Sequence, residues 1–304
     1  MIRVVVPCSS GNLGSGFDAL GVALDARAIT ISAQPYDGPL MIAELTGEGA
    51  AELPRDATNR IVVAASLAAR SVGKTVEDLR ARLSIDSSIP LARGMGSSAS
   101  AAVAGAMLAD ALLGGAIGRA GALDVAAELE GHCDNVAPAL NGGFQVSLKT
   151  GGRCFASAVP VNGELGAALY IPEQPLTTKE ARSVLSAQVS MEDAVFNLAR
   201  SAMTVAALAR GDFALLRESL ADRLHQPART KLMPWLPKLI EAALAGGAYG
   251  AALSGAGTTV CALCAPDRAD AVAAAMRERA RSLGLPGVAI TSGISPSGTT
   301  VTRS

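Results

Sequence analysis

The segment at residues 90–100, P-L-A-R-G-M-G-S-S-A-S, constrains the fold most, because it joins a strand pattern to a long helix pattern. The run 83–89 before it is typical of a strand, and the run 98–113 is made largely of small and aliphatic residues. A helix start leaves backbone N–H groups without partners and carries a partial positive charge. Glycines let such a backbone close on an anion. The segment is therefore predicted to bind phosphate at the start of a buried helix.

The glycine–serine segment matches neither of two common nucleotide motifs. No Lys-Ser or Lys-Thr pair follows the glycines, so it is not a Walker A loop, and G-x-G-x-x-G is not met. A serine N-cap behind a flexible turn explains the same residues without a ligand. On this segment alone, both interpretations stay open.

Composition and charge exclude several classes of protein. The 304 residues are 50% apolar and 17% charged, which is typical of globular chains with room for two domains. A net charge of −1, without a basic stripe and with 3% aromatics, argues against nucleic-acid binding. No run reaches the roughly 18 apolar residues of a membrane span. The first residues resemble a strand rather than a signal peptide, so a cytoplasmic protein is expected.

The cysteines fit the same compartment. Their odd count of five argues against a disulfide framework. Cys261 and Cys264 form a C-x-x-C inside a strand pattern, without the second pair that a zinc site needs. Both are therefore predicted to be buried thiols.

The order of the predicted elements favours an α+β sandwich. The pattern divides the chain into two domains that share a cleft, residues 1–150 and 151–304. Helices are predicted at 59–72, 98–113, 123–130, 191–210, 212–220, 236–245 and 267–283. Strands are predicted at 3–6, 28–33, 83–89, 144–148, 167–171, 251–253, 259–263 and 288–294.

Three segments together resemble a known family. Residues 7–24, 90–100 and 253–260 are similar, in order and spacing, to motifs of the galactokinase–homoserine kinase–mevalonate kinase–phosphomevalonate kinase (GHMP) superfamily. The first segment, with E-G-H-C-D-N-V-A-P at 130–138, is most similar to the homoserine kinase branch. The resemblance implies an N-terminal domain like ribosomal protein S5 domain 2 and a ferredoxin-like C-terminal domain. It also implies ATP- and Mg²⁺-dependent phosphorylation of the L-homoserine hydroxyl, in threonine biosynthesis, by a homodimer.

The resemblance also implies which residues hold the nucleotide and the metal. Ser98 and a glutamate of the helix before residue 131 would hold Mg²⁺. Glu128 and Glu130 project about 200° apart on a helix, so only one would reach the ion, and Glu128 is the one chosen. The predicted nucleotide contacts are Asn59, Pro90, Leu91, Ala92, Arg93, Gly94, Met95, Gly96, Ser97, Ser98, Ala99 and Ser100.

The acceptor residues carried over in the same way are Asn12, Asp18, His132, Asp134, Asn135, Arg182 and Arg229. Asp18 would pair with the ammonium, and a guanidinium matches a carboxylate in a bidentate pair. Asp134 would orient the hydroxyl, with general base catalysis as a weaker hypothesis, and Asp134, Asn135 and Ser98 form the predicted catalytic set. Without the resemblance, Asn and Asp in this loop would be explained as turn caps and the arginines as surface charges.

Two rival functions remain at this stage. Another GHMP kinase, acting on mevalonate or shikimate, would meet an acceptor without an ammonium and would not need Asp18. A non-catalytic nucleic-acid-binding protein would share the ribosomal-type fold, although its expected positive charge is missing.

Overall fold

The run of small residues behind the glycine–serine segment forms a long helix in the computed structural model, which describes residues 1–304. The helix spans Ser97–Leu112, and Gly96 at its N-cap has a φ of 71°. Its buried residues lie on all sides, as its weak amphipathic pattern predicts. The sequence therefore predicted this central element within one residue at each end.

Eleven strands and ten α-helices make up the fold. The strands are β1 Ile2–Gly11, β2 Leu20–Pro35, β3 Met41–Gly47, β4 Ala81–Ser87, β5 Phe144–Thr150, β6 Arg153–Val159, β7 Gly166–Pro172, β8 Gly250–Leu253, β9 Val260–Cys264, β10 Gly287–Gly293 and β11 Thr300–Arg303. The helices are α1 Arg60–Ser71, α2 Ser97–Leu112, α3 Gly118–Glu130, α4 Val136–Asn141, α5 Thr178–Ser183, α6 Met191–Arg210, α7 Leu216–Ser219, α8 Gln226–Arg229, α9 Leu236–Ala245 and α10 Ala269–Ser282. No helix has the length and apolar character needed to cross a membrane.

The strands form two sheets, which confirms the predicted α+β class. The first has seven strands in the order β11-β1-β2-β4-β3, with β5 pairing with both β2 and β6. The second has four, in the order β10-β7-β9-β8. Helices α1 to α4 belong to the larger hydrophobic core with the first sheet, and α9 and α10 belong to the smaller core with the second.

The sheets shift the predicted boundary at residue 150. Strand β6 pairs with β5, so the first sheet continues to Val159. Strand β11 then returns to pair antiparallel with β1, with Arg303 opposite Ile2. Residues 153–159 and 300–303 therefore belong to the N-terminal sheet rather than to a second domain at 151–304.

One predicted helix is shorter than expected. Residues 212–220 form a 3₁₀ turn at Phe213–Leu215 and then the single turn α7. Leu216 and Ser219 of this turn are buried, and α7 packs against β8. Tertiary packing thus overrides the helical pattern of this segment.

Candidate active site

The glycine–serine loop has the backbone shape that an anion cradle needs. Gly94 and Gly96 have φ values of 76° and 71°, in the left-handed region that favours glycine. A Cβ on Gly94 would lie 2.2 Å from the Ser254 carbonyl oxygen, and one on Gly96 would lie 2.2 Å from Ser9 Oγ. Both positions therefore require glycine, for conformation and for space.

Neighbouring segments hold the loop through its carbonyl oxygens. The donors come from the first strand, from the segment before α5 and from the β8–β9 turn: Ser9 N to Met95 O (3.2 Å), Leu176 N to Ala92 O (2.9 Å), Thr259 N to Arg93 O (2.9 Å) and Ser254 Oγ to Gly94 O (2.6 Å). The N–H groups of the first turn of α2 have no carbonyl four residues earlier in the helix. Gly96, Ser97 and Ser98 at this helix start line the cleft, where such donors suit a phosphate.

Ser98 contacts a carboxylate, but not the predicted one. Its Oγ donates to Glu130 Oε1 at 2.7 Å, and Arg60 forms an ion pair with the same oxygen. Glu128 lies two residues earlier on α3, where it is exposed. Glu130, rather than the predicted Glu128, therefore lies beside Ser98, because packing turns this side of α3 toward the loop. A hydroxyl and a carboxylate oxygen fit Mg²⁺, which prefers oxygen ligands.

Asp134 and its neighbours form a buried polar group beside the loop, where a Cβ on Gly96 would lie 3.2 Å from Asn135 Oδ1. Asp134 is 2% exposed, and its Oδ1 lies 2.6 Å from His132 Nδ1. Asn135 Oδ1 accepts a hydrogen bond from Ser9 Oγ at 3.1 Å. Burial alone would lower the pKa of His132, but the hydrogen bond and charge of Asp134 hold it above its usual value, with help from Glu130 and Asp18. The imidazole thus fixes one Asp134 oxygen.

In the loop between β1 and β2, Asp18 has a backbone conformation that residues other than glycine rarely adopt. Asn12 and Asp18 have φ values of 70° and 57°. Asn12 holds this shape, because its Oδ1 accepts from Asp18 N at 3.0 Å and its Nδ2 donates to Gly255 O at 2.7 Å. Asp18 Oδ1 meets Arg182 Nη2 at 2.6 Å. Asn12 therefore positions the loop, and Asp18 lines the cleft beside a cation.

Arg229 is held almost wholly inside the protein at the end of the same cleft. It is 1% exposed and donates to Ala181 O at 3.2 Å and to Gly255 O at 3.0 Å. It also contacts His225 Nδ1 at 2.9 Å. A guanidinium only donates, so this nitrogen accepts, and His225 Nε2 is left to donate to Gly14 O at 2.9 Å. His225 therefore supports Arg229 from inside the protein.

His225 is favoured in its neutral form at this end of the cleft. Burial lowers the pKa of His225 below its usual value, and the Arg229 charge adds to this against the opposing effect of Asp222. Burial, followed by the charge of Arg182, lowers the pKa of Arg229 to about 10, so this arginine remains charged at neutral pH. The site therefore keeps a buried cation in the lining of the cleft.

Phe17 joins the two arginines and was not recognised from the sequence. Its ring stacks on His225 at 5.1 Å between centroids. The guanidinium carbons of Arg182 and Arg229 lie 5.5 and 5.6 Å from the ring centroid. The only signal in the sequence was its place beside Asp18, which does not show that residues so far apart along the chain meet on one ring.

An apolar pocket continues from the loop away from Asp134. Asn59 lies at its edge as the N-cap of α1, with Oδ1 accepting from Ile61 N at 3.0 Å. Sequence reasoning did not find this pocket, because its walls come from five separate elements and the loops between them and have no motif. The apolar side chains that line it are Ile29, Leu45, Leu53, Ile61, Ile85, Leu91, Ala92 and Ala101.

Not every predicted loop residue reaches the cleft. Ala99 and Ser100 are fully buried, and Ser100 Oγ donates to Pro7 O at 2.9 Å. Neither of these predicted nucleotide contacts lines the cleft, and Ser100 is turned toward β1. Arg93 donates to the carbonyls of Pro172, Leu91 and Glu173, which engages its guanidinium in bracing the loop. Leu91 and Asn59 line the apolar pocket instead. One cleft is lined by the remaining predicted residues Asn12, Asp18, Pro90, Ala92, Arg93, Gly94, Met95, Gly96, Ser97, Ser98, His132, Asp134, Asn135, Arg182 and Arg229.

Two family models match the segments of the chain that form this cleft. The model for the GHMP kinases N terminal domain matches residues 59–143, and the model for the GHMP kinases C terminal domain matches residues 204–282. The two matches together cover the phosphate loop, the Asp134 group and Arg229. The chain belongs to the GHMP kinase family.

Similar proteins indicate one branch of this family, because several of them are homoserine kinases. The chain is 45% identical to homoserine kinase of Thermus thermophilus over 86% of each chain. It is 40% identical to that of a Synechococcus strain over 99% of this chain and 97% of the relative. A crystal structure of homoserine kinase from Cytophaga hutchinsonii matches with a TM-score of 0.86 at 28% identity, over 99% and 97% of the two chains.

More distant structures share the fold alone. Mevalonate kinase of L. major aligns over 94% of both chains with a TM-score of 0.68 at 15% identity. The predicted two-domain GHMP kinase fold is thus confirmed, and the chain is an enzyme of the kinase class that uses ATP and an alcohol acceptor.

Proposed function

We propose that this chain transfers the γ-phosphoryl group of ATP to the side-chain hydroxyl of L-homoserine, giving O-phospho-L-homoserine for threonine biosynthesis. The observation that carries the proposal is the joining of two half-sites in one cleft. A glycine loop at a helix start lies at one end, and Asp18 with Arg182 and the buried Arg229 lies at the other. The first half suits phosphates, and the second suits a small molecule with both an ammonium and a carboxylate.

The donor half-site fits a purine nucleotide. Phosphates would lie on the N–H groups at the start of α2, between Gly94 and Ser98. The base would enter the neighbouring apolar pocket, which shares Ala92, Ser97 and Ser98 with the cleft. Ligand pockets are mostly apolar with a few placed polar groups. The apolar walls of this pocket would therefore supply the affinity for the base, and Asn59 would supply a polar group at its edge.

Ser98 and Glu130 are the proposed Mg²⁺ ligands. When bound, the ion neutralises charge on the phosphates of ATP. Glu130 is partnered by Ser98 and by Arg60 within the chain. Arg60 thus holds the carboxylate in place by an ion pair, and Ser98 fixes its distance from the loop. Both residues act on the position of Glu130.

The acceptor half-site is matched to the charges of an amino acid. Asp18 would accept the ammonium, and the Arg182 and Arg229 guanidiniums would bind the carboxylate. The carboxylate and imidazole atoms of Asp18, His132 and Asp134 lie within 4.8 Å of one another, which concentrates negative charge for a cation. The Asp18–Arg182 ion pair is about one-third exposed, so exchanging it for substrate charges costs little.

Asp134 would act by orienting the acceptor hydroxyl toward the phosphate loop. Phosphoryl transfer passes through a loose transition state that depends mainly on position and charge neutralisation. His132 holds Oδ1 of Asp134, and Oδ2, which accepts only a long hydrogen bond of 3.4 Å from Asn135 Nδ2, would accept a hydrogen bond from the substrate hydroxyl. Asn135 ties this group to β1 through Ser9. We also propose that the enzyme works in the cytoplasm as a homodimer, which the family resemblance implies.

The test is an ATP-consumption screen across four alcohols: L-homoserine, mevalonate, shikimate and galactose. We expect homoserine to give a kcat/KM at least about 100-fold above the others, because only homoserine carries both charges that the cleft matches. Comparable or greater turnover on mevalonate would instead support the rival assignment, in which Asp18 has no ammonium to bind.

A further inference from the structure

Helix α6 exposes an apolar stripe along its whole length. Met191, Val195 and Leu198 are 79%, 55% and 72% exposed. Every exposed position between Asp193 and Arg210 is apolar, and the smaller ones are Ala199, Ala202, Ala206 and Ala209. At 3.6 residues per turn, these side chains, with the exception of Met203, fall within an arc of about 100°. A contiguous apolar surface of this kind marks an interaction site.

The opposite side of α6 is fixed to its own chain by polar contacts. Asn197 is buried, and its Nδ2 donates to Ser15 O at 3.1 Å and to Asp222 Oδ1 at 2.7 Å. Thr204 Oγ1 donates to Ser219 O at 3.2 Å. The helix is therefore rigidly held, and the stripe is free to receive a partner without breaking these bonds.

The charges at the two ends of the stripe indicate which partner fits. Glu192 and Arg210 are the exposed charged residues of the helix, 18 residues apart. That spacing is five turns, so both project to the same side of the helix. A second α6 running antiparallel, related by a two-fold axis level with Ser201, would bring each Glu192 beside Arg210 of the partner subunit. One symmetric operation thus covers the stripe and pairs both charges.

We propose that the stripe of α6 is the surface through which two copies of this chain associate, with the two helices antiparallel across a two-fold axis. The 20-residue helix is about 30 Å long, and its alanines allow the helix axes to approach closely. Glu192 already contacts Arg223 through Oε1 at 2.9 Å, which leaves its second oxygen for the partner. The apolar stripe supplies the affinity, and the end charges fix the direction.

The experiment compares surface variants by sedimentation velocity over a concentration series, without substrate. We expect wild type to dimerise, and Leu198→Asp to weaken the dimer about 100-fold, because it places a charge at the centre of an apolar contact. Leu148→Asp on β5 is the matched control, since Leu148 is also exposed (55%) and lies outside the stripe of α6. We expect it to leave the dimer constant within about two-fold.

A charge swap tests the antiparallel direction. Glu192→Arg alone should weaken the dimer about tenfold, since it places like charges together, and Glu192→Arg with Arg210→Glu should restore it. Effects of either change on helix stability would persist in the double variant, so recovery reports the contact between subunits.

Three results would overturn the proposal: a wild-type monomer throughout the series, a dimer indifferent to Leu198→Asp, or a dimer lost equally in the Leu148→Asp control. A double variant no better than Glu192→Arg would overturn the antiparallel direction. Because no substrate is present, these outcomes are independent of the acceptor assignment.

Discussion

Replacing Asp134 with Ala is expected to lower kcat for homoserine by about 100-fold to 1,000-fold. The variant removes the one buried carboxylate that the cleft places between His132 and the phosphate loop. Loss of a positioned group at the reacting atoms costs this much whether it orients the hydroxyl or takes its proton. Steady-state kinetics with saturating ATP measures the change. The KM for ATP should stay within about threefold, because Asp134 is not among the residues that line the apolar base pocket.

The Asp134→Asn variant separates orientation from base catalysis. An amide oxygen still accepts a hydrogen bond from the hydroxyl but does not take up its proton at neutral pH. If orientation dominates, Asn should retain at least about a tenth of the wild-type kcat. An Asn variant as slow as the Ala variant, with an unchanged unfolding midpoint, would contradict orientation as the main role and favour the base.

Replacing Glu130 with Gln is expected to lower kcat by about 100-fold and to raise the Mg²⁺ concentration needed for half-maximal rate. The change replaces the carboxylate beside Ser98 Oγ with a neutral amide. Because Mg²⁺ prefers negatively charged oxygen ligands, the proposed metal site becomes weaker. A Mg²⁺ titration at fixed ATP measures both effects.

Glu128→Gln supplies the matched control for this experiment. It makes the same chemical change on the same helix, two residues away and exposed. We expect less than about a twofold change in rate, as for other surface substitutions. A large loss in the Glu128 variant with none in the Glu130 variant would restore the original sequence-based choice and refute the site described here.

Much of the fold could be predicted because its elements have local patterns. Helix α6 was predicted with its observed bounds, since Ser190 caps it and Gly211 ends it. Strand β11 was missed, because four residues, Thr300–Arg303, carry no periodic signal. Its place beside β1 depends on the whole chain returning to the first sheet, which no local pattern encodes.

The site residues could be predicted where a local motif contains them. They could not be predicted where tertiary packing decides which way a side chain points. Gly94, Gly96 and Ser98 lie in the cleft as the loop signature implied. The choice between Glu128 and Glu130 depends on the rotation of α3 against α2, which only tertiary contacts set. The same holds for Phe17, whose ring joins two arginines that lie far along the chain.

The central claim is that this cleft selects an acceptor by both of its charges. The direct measurement is the wild-type kcat/KM for L-homoserine against two analogues of similar length, 4-hydroxybutyrate without the ammonium and 3-amino-1-propanol without the carboxylate. Each analogue would leave Asp18 or the arginine pair without its partner, so we expect each to fall at least about 100-fold below homoserine. A value for either analogue close to that of homoserine would contradict the account.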